Sequence, residues 1–370
     1  MSTSGTAAGG MPSAPGRGLL HGLRVLDLSV WRPGPYATQL LAEIGADVLK
    51  VEPPGGDPMR GYPQIFASLS ANKRSIAVDL KTAPGRDRVL ELAAEADVFV
   101  EGFRPGVVQR LGVDYETVRS LNEAIVYCSV SGMGQSGPLT LAPGHDLNYL
   151  AWAGALAPDG GPPVAPAIPV ADLAGGMTAA FAILAAVVRR QSTGEGERID
   201  VAMADVLATW TGAAEPQADG VDAGARGVPG YGVFTTADGG SIALGVLTED
   251  HFWRALCATV GLPTEASLTF PERMARVAVL QGQLAAAIAG RERDDLLADL
   301  LAADVPAAPV HDRAGMLEEA HFRDRGVVTD DPWASPTTGY PVRFEQHAAH
   351  RYAAPPGLDE HRGSGFLERP

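Results

Sequence analysis

The sequence predicts an α/β protein in which an open, doubly wound parallel sheet is followed by a smaller α+β domain. Three observations carry this. From Leu23 onward, short β-branched apolar runs alternate with longer amphipathic ones, the pattern of parallel strands joined by crossover helices. The 370 residues are enough to bury two cores. A run of Gly and polar residues over 213–232 separates the alternating region from a hairpin and a set of helices.

The apolar runs place strands at 24–29, 47–52, 75–80, 97–102 and 125–131, with helices at 36–44 and at 85–96, the latter launched after Pro84. A Gly/Pro-rich stretch over 158–169 leads to Asp172, Gly175 and Gly176 and then to an apolar helical run ending near Arg190. Residues 232–246 read as a hairpin turning at Asp238-Gly239-Gly240, and helices follow to about 303. The expected organisation is a disordered tail at 1–18, a large domain at 19–205, a linker at 206–231, a small domain at 232–312, and a return to the large domain over 313–370.

Composition narrows the function classes. With 46% hydrophobic and 20% charged residues the chain is ordinary for a folded protein, not a disordered one. A net charge of −15 opposes nucleic acid and anionic membrane as partners, so an anionic ligand needs a local cluster of cations. Two distant cysteines, Cys128 and Cys257, exclude a disulfide framework and fit the cytoplasm. The longest apolar run, 177–188, is shorter than the roughly 20 residues of a membrane span, and the first eighteen residues lack the apolar core of a signal peptide.

The strand-turn-helix over 26–36 lacks the GxGxxG spacing that admits a pyrophosphate, so a nicotinamide or flavin is not expected. There is no GxxxxGK[ST] loop, and no Cys/His spacing suggests zinc. Asn72, Lys73 and Arg74 before the third strand, and Arg104 after the fourth, suit phosphate groups, or are simply solvated surface cations. His145, between structured elements, is either a loop catalyst or a structural histidine. Asp172 at a helix start is either a cap or a carboxylate held ionised by helix N–H groups.

Taken in order, Leu23-Arg24-Val25-Leu26-Asp27-Leu28, Gly34-Pro35-Tyr36-Ala37, Lys50-Val51-Glu52-Pro53-Pro54, Asn72-Lys73-Arg74-Ser75, Phe103-Arg104-Pro105-Gly106, Ser131-Gly132-Met133-Gly134, Gly144-His145-Asp146 and Asp172 form a pattern spread over 23–328. The pattern resembles the class III CoA-transferase and α-methylacyl-CoA racemase family, of the CaiB/BaiF type. The resemblance implies a Rossmann-like large domain, a small domain, long linkers, and a homodimer interlocked like links of a chain, with the active site between the large domain of one subunit and the small domain of the other. It implies an acyl-CoA thioester as ligand, with coenzyme A as substrate carrier and neither a further cofactor nor a metal. Arg104 together with Ala71, Asn72, Lys73 and Arg74 would hold the phosphates and adenine of CoA, while Pro53 stands where racemases often carry Arg.

Two chemistries follow from the resemblance. Gly144, His145, Asp146, Asn148 and Tyr149 match the racemase motif, which favours an α-methylacyl-CoA racemase moving a proton between the faces of the α-carbon. His145 and Asp172 would flank that carbon and Glu249 would orient His145, with N–H groups near Asp172 and the following glycines holding the enolate oxygen. The alternative is a CoA-transferase in which Asp172 attacks the thioester and carries CoA to a carboxylic acid. The segments Gly245-Val246-Leu247-Thr248-Glu249-Asp250 and Val305-Pro306-Ala307-Ala308-Pro309-Val310 lean that way. A third reading, acyl-CoA binding without catalysis, leaves an acid/base pair with no task.

Overall fold

The structure, a computed structural model, describes residues 18–157, 162–213, 227–331, 333–349 and 351–369. The chain forms two compact units. One takes in the described residues of 1–158, 162–211 and 320–370, and the other those of 212–319.

The first unit is built on six parallel strands: β1 (Arg24–Asp27), β2 (Asp47–Glu52), β3 (Arg74–Ala77), β4 (Val98–Glu101), β5 (Val126–Ser131) and β6 (Glu197–Ala202). Their order is β3-β2-β1-β4-β5-β6, and every pairing is parallel. The first five fall on the expected strands. β6 escaped the reading because Glu197, Arg198 and Asp200 interrupt it; it is an edge strand whose burial is confined to Val201 and Ala202.

Around the sheet lie α1 (Pro33–Glu43), α2 (Pro63–Ser70), α3 (Ala83–Glu95), α4 (Val107–Leu111), α5 (Tyr115–Leu121), α6 (Asp146–Trp152), α7 (Val170–Thr193) and α8 (Met203–Ala213). Successive strand residues point to opposite faces. Val25, Val98 and Val126 therefore enter the core shared with Leu41 of α1 and Ile183 of α7. Their neighbours Leu26, Phe99 and Tyr127 enter a second core with Leu92 of α3 and Val118 of α5. Both faces are covered, as a parallel sheet requires.

Three expectations are corrected. The apolar run is part of a 24-residue helix, long and apolar enough by length to cross a membrane, yet Ala174, Gly175, Ala179, Ile183 and Val187 are buried within the unit. Asp172 lies in the first turn of that helix rather than before it. The expected linker at 206–231 begins as helix: α8 runs to Ala213 because Ala204 and Leu207 reach a core under α6 and α7. Residues 214–226 of that linker, 158–161 of the Gly/Pro stretch and 1–17 of the tail lie outside the described residues.

In the second unit β7 (Tyr231–Thr235) and β8 (Ser241–Gly245) form the expected hairpin, with Gly239 at φ 78° in its turn. Trp253, Leu280, Leu284, Leu296 and Leu300 fill its core.

The chain end closes the edge of the large sheet. Asp359 Oδ1 accepts the Ala77 N–H at 2.9 Å, and His361 donates its N–H to Ser75 O at 2.9 Å while its Nδ1 accepts the Ser75 N–H at 3.3 Å. The outer rim of β3 is thereby denied to another strand.

Candidate active site

The strand order reverses between β1 and β4, and an open α/β sheet forms its ligand crevice at the carboxyl ends of such strands. There the first unit has a cavity of about 710 Å³. Val30–Pro33 after β1, Gly102–Pro105 after β4 and Ser131–Met133 after β5 form its floor and walls; Gly144, His145, Tyr149 and Asp172 complete it.

The Gly144–Tyr149 motif works as a frame. His145 is the N-cap of α6, and its N–H is accepted by Asn148 Oδ1 at 3.1 Å. Asp146, at the first position of α6, turns its carboxylate to the start of α7 and accepts the Asp172 N–H at 3.0 Å. One side chain thus ties the two helix starts together, and with them the two residues singled out for chemistry. Tyr149 donates its hydroxyl to Gly144 O at 2.6 Å, and its ring fills the space beside Gly132, where a Cβ would come within 2.3 Å of it. Asp146 and Asn148 are positioning residues, whereas His145, Tyr149 and Asp172 face the cavity.

Asp172 is half-buried. Burial and the neighbouring Asp146 carboxylate push its pKa up to about 6, against the pull of Arg32 and His145. The carboxylate is ionised at neutral pH yet close to its protonation point.

Below the cavity a buried polar network fixes the loop after β1. Asp27 accepts Ser29 N–H at 3.0 Å, the Ser29 hydroxyl, the Thr38 hydroxyl at 2.6 Å and Lys73 Nζ at 3.2 Å. Burial alone would raise the Asp27 carboxyl; Lys73, Lys50 and the two hydroxyls outweigh it and hold it down at about 2. Lys50 donates to Ser29 O at 2.7 Å and pairs with Asp57 at 2.8 Å, and Asp57 in turn accepts the Trp31 N–H at 3.3 Å. Trp31 is held at φ 67°, a left-handed backbone that costs an ordinary residue about 1 kcal/mol or more.

This network corrects the expectation for Lys73, whose ammonium has no exposed surface and is satisfied by Asp27, Thr38 and Pro35 O. Ala71 is fully buried. Arg74 is bidentate to Asp47, at 2.7 and 2.9 Å, and Asn72 Oδ1 accepts the N–H groups of Tyr352 and Ala353. None of these four lines the cavity of Asp172; Asn72, Lys73 and Arg74 border a second one, of about 480 Å³, with Arg24 and Asp47 at the amino ends of the strands. Arg104, by contrast, is exposed at the wall of the first cavity, and among the described residues its guanidinium makes no hydrogen bond or ion pair.

The expected enolate donors are also revised. The Asp172 N–H is taken by Asp146, and Gly175 and Gly176 lie inside α7, where their N–H groups serve the helix ladder. Those glycines are there for close packing: a Cβ on Gly176 would stand 2.5 Å from Pro33 O, and one on Gly175 would stand 2.5 Å from the Met203 side chain. Glu249 belongs to the second unit, where it caps the helix Asp250–Thr259 and accepts the Leu247 N–H at 3.3 Å. Among the described residues no group of three or more His, Cys, Asp or Glu is placed to hold a metal.

Sequence reasoning missed Arg32, which lines the cavity and acts on Asp172. Neither the glycine spacing of the turn over 26–36 nor the Gly34-Pro35-Tyr36-Ala37 match points to Arg32; its place after the first strand, beside the switch point, is the signal in the sequence.

Comparison with known proteins bears on this site. The family model for CoA-transferase family III matches residues 20–362. A succinyl-CoA:mesaconate CoA-transferase of Haloarcula hispanica is 35% identical, with 93% of this chain and 95% of that protein covered. A formyl-CoA:oxalate CoA-transferase of Streptomyces avermitilis is 30% identical over 94% of each chain, and a succinyl-CoA:glutarate CoA-transferase of Mus musculus is 32% identical over 92% of this chain and 84% of that one. The crystal structure of a CaiB/BaiF family protein from Brucella suis superposes with a TM-score of 0.82 at 30% identity, covering 93% of this chain and 97% of that one.

Proposed function

This chain belongs to CoA-transferase family III, and from that premise we propose that it moves CoA between carboxylic acids through a covalent intermediate on Asp172. The observation that carries the reading is a half-buried Asp172 in a large cavity, ionised at neutral pH and locked to the His145 helix through Asp146. The relatives named above, all CoA-transferases, support transfer ahead of racemisation, so the order of the two readings drawn from the sequence reverses.

In this mechanism an Asp172 oxygen attacks the thioester carbonyl, the C–S bond breaks, and CoA leaves as the thiolate. The thiolate then attacks the Asp172 carbonyl of the mixed anhydride, releasing the first acid and leaving CoA on Asp172 as a thioester. An acceptor carboxylate reverses both steps. Arg104 would take a phosphate of CoA at the cavity wall, and the acids would be small carboxylates like those named in the relatives. His145 is then an auxiliary group beside the reacting carbonyl. A homodimer is proposed as well, supported by Met177, Phe181 and Val188, which leave an exposed apolar stripe on α7.

The racemase remains the second reading because His145 and Asp172 face one cavity. The test is to incubate the protein with succinyl-CoA and glutarate, follow glutaryl-CoA, and trap the intermediate with hydroxylamine. Glutaryl-CoA formation, with a hydroxamate at Asp172 that the Asp172→Asn variant lacks, is the expected result. Exchange of the α-proton of a 2-methylacyl-CoA in deuterated buffer, without hydroxamate and without transfer, would reinstate the racemase.

A further inference from the structure

We propose that Arg32 anchors the non-reacting carboxylate of a dicarboxylic acid, making dicarboxylates the preferred acid substrates; the inference rests on the transfer reaction proposed above. Arg32 is half-buried in the wall of the Asp172 cavity, and among the described residues its guanidinium makes no hydrogen bond or ion pair. Comparable half-buried arginines are committed: Arg60 to Glu52, Arg74 to Asp47, Arg190 to Asp97 and Arg351 to Glu43. Arg32 already acts on the Asp172 carboxylate through space, yet the donors of its planar fork are not taken up by any described residue and suit a carboxylate from outside.

The loop that presents Arg32 is fixed from two sides. Lys50 and Asp57 hold Ser29 O and the Trp31 N–H from below, and the absent Cβ of Gly176 lets α7 close on Pro33 O. The position of Arg32 is thereby tied to that of Asp172, since Asp172 and Gly176 lie one turn apart on α7.

Electrostatics require such a cation. The acceptor enters as an anion once Asp172 carries CoA and is neutral, so the negative field it meets is that of Asp146, beside Asp172; a positive group offsets that field. Why the far carboxylate and not the near one follows from the chemistry. A bidentate guanidinium on the attacking carboxylate would hold both its oxygens and blunt the nucleophile. On the far carboxylate it leaves the near one free to attack the Asp172–CoA thioester carbonyl, forming the C–O bond and expelling the CoA thiolate.

The experiment compares glutarate and butyrate as acceptors with succinyl-CoA as donor, for wild type, Arg32→Met and Arg32→Lys. The donor's acid has left before the acceptor enters, so kcat/KM for the acceptor reports the second half-reaction alone. The ratio of kcat/KM for glutarate over butyrate should fall about 30-fold or more in Arg32→Met, the scale of a lost buried charge pair, with Arg32→Lys between. A variant that merely folds less well lowers both rates together and leaves the ratio in place, which would overturn the proposal, as would a wild type that prefers butyrate. Transfer to neither acid with no hydroxamate at Asp172 would instead remove the transferase reading itself.

Discussion

Asp172 sits between opposing fields. The start of α7 favours its anion, while burial and Asp146 favour the proton, and the result is a pKa of about 6. In the proposed transfer the nucleophile is the carboxylate, so kcat/KM for the acyl-CoA donor should rise with pH through about 6 and level off above it, as a pH–rate profile will show. The stability sign is the reverse. The folded value lies above the ordinary 3.8, so ionising Asp172 costs the folded state, a cost absent below pH 3.8 and complete above pH 6. Asp172→Asn should therefore abolish transfer while raising the melting temperature at pH 7.5 by about 2 °C, with no difference below pH 3.8. A variant that melts lower at pH 7.5 would contradict this account of the site.

At the scale of elements, the site is a joint between the start of α7, the start of α6 and the loop after β1. Gly176 is where that joint is tightest. Gly→Ala inside a helix ordinarily gains up to about 1 kcal/mol, but here the new Cβ meets a backbone carbonyl, Pro33 O, at 2.5 Å, and a carbonyl in a pinned loop cannot step aside. Gly176→Ala should be destabilised by about 1–3 kcal/mol in urea unfolding and should also lose activity, because the displaced loop carries Arg32. A neutral or stabilising effect would show that the loop is free to move. The elements that sequence reading recovered, β1 to β5, α1, α3, α7 and the β7–β8 hairpin, are those marked by continuous apolar runs or by turn residues between them. Those it missed, such as β6 and α6, are short or interrupted by charge, and owe their conformation to a neighbouring strand or to a cap.

For the whole molecule, the exposed stripe of Met177, Phe181 and Val188 on a helix whose opposite face is buried in the core is the feature that asks for a second copy. Phe181 is 75% exposed, so a charge there costs the folded monomer little. Phe181→Asp should shift sedimentation equilibrium from the proposed dimer toward monomer with the far-ultraviolet circular dichroism preserved. An unchanged dimer would place the interface elsewhere. The chain end, by lying on β3 through Asp359 and His361, removes the remaining open edge on that side of the large sheet.

By itself the sequence determined the fold class and the first five strands of the large sheet, and it singled out Asp172 and His145, which the structure brings to one cavity, because apolar runs, turn chemistry and an ordered motif are local properties written in consecutive residues. Only the tertiary structure decided what the charges do. Lys73 and Arg32 are both cations near the start of an element. One is enclosed with Asp27, Thr38 and Pro35; the other, in the wall of a cavity, has no hydrogen bond or ion pair among the described residues. Nothing in the residue type separates them, since the fate of a charge depends on burial and on partners brought from distant parts of the chain. The same holds for Asp146: a carboxylate beside a histidine in sequence is, once folded, the acceptor for the Asp172 N–H, 26 residues away.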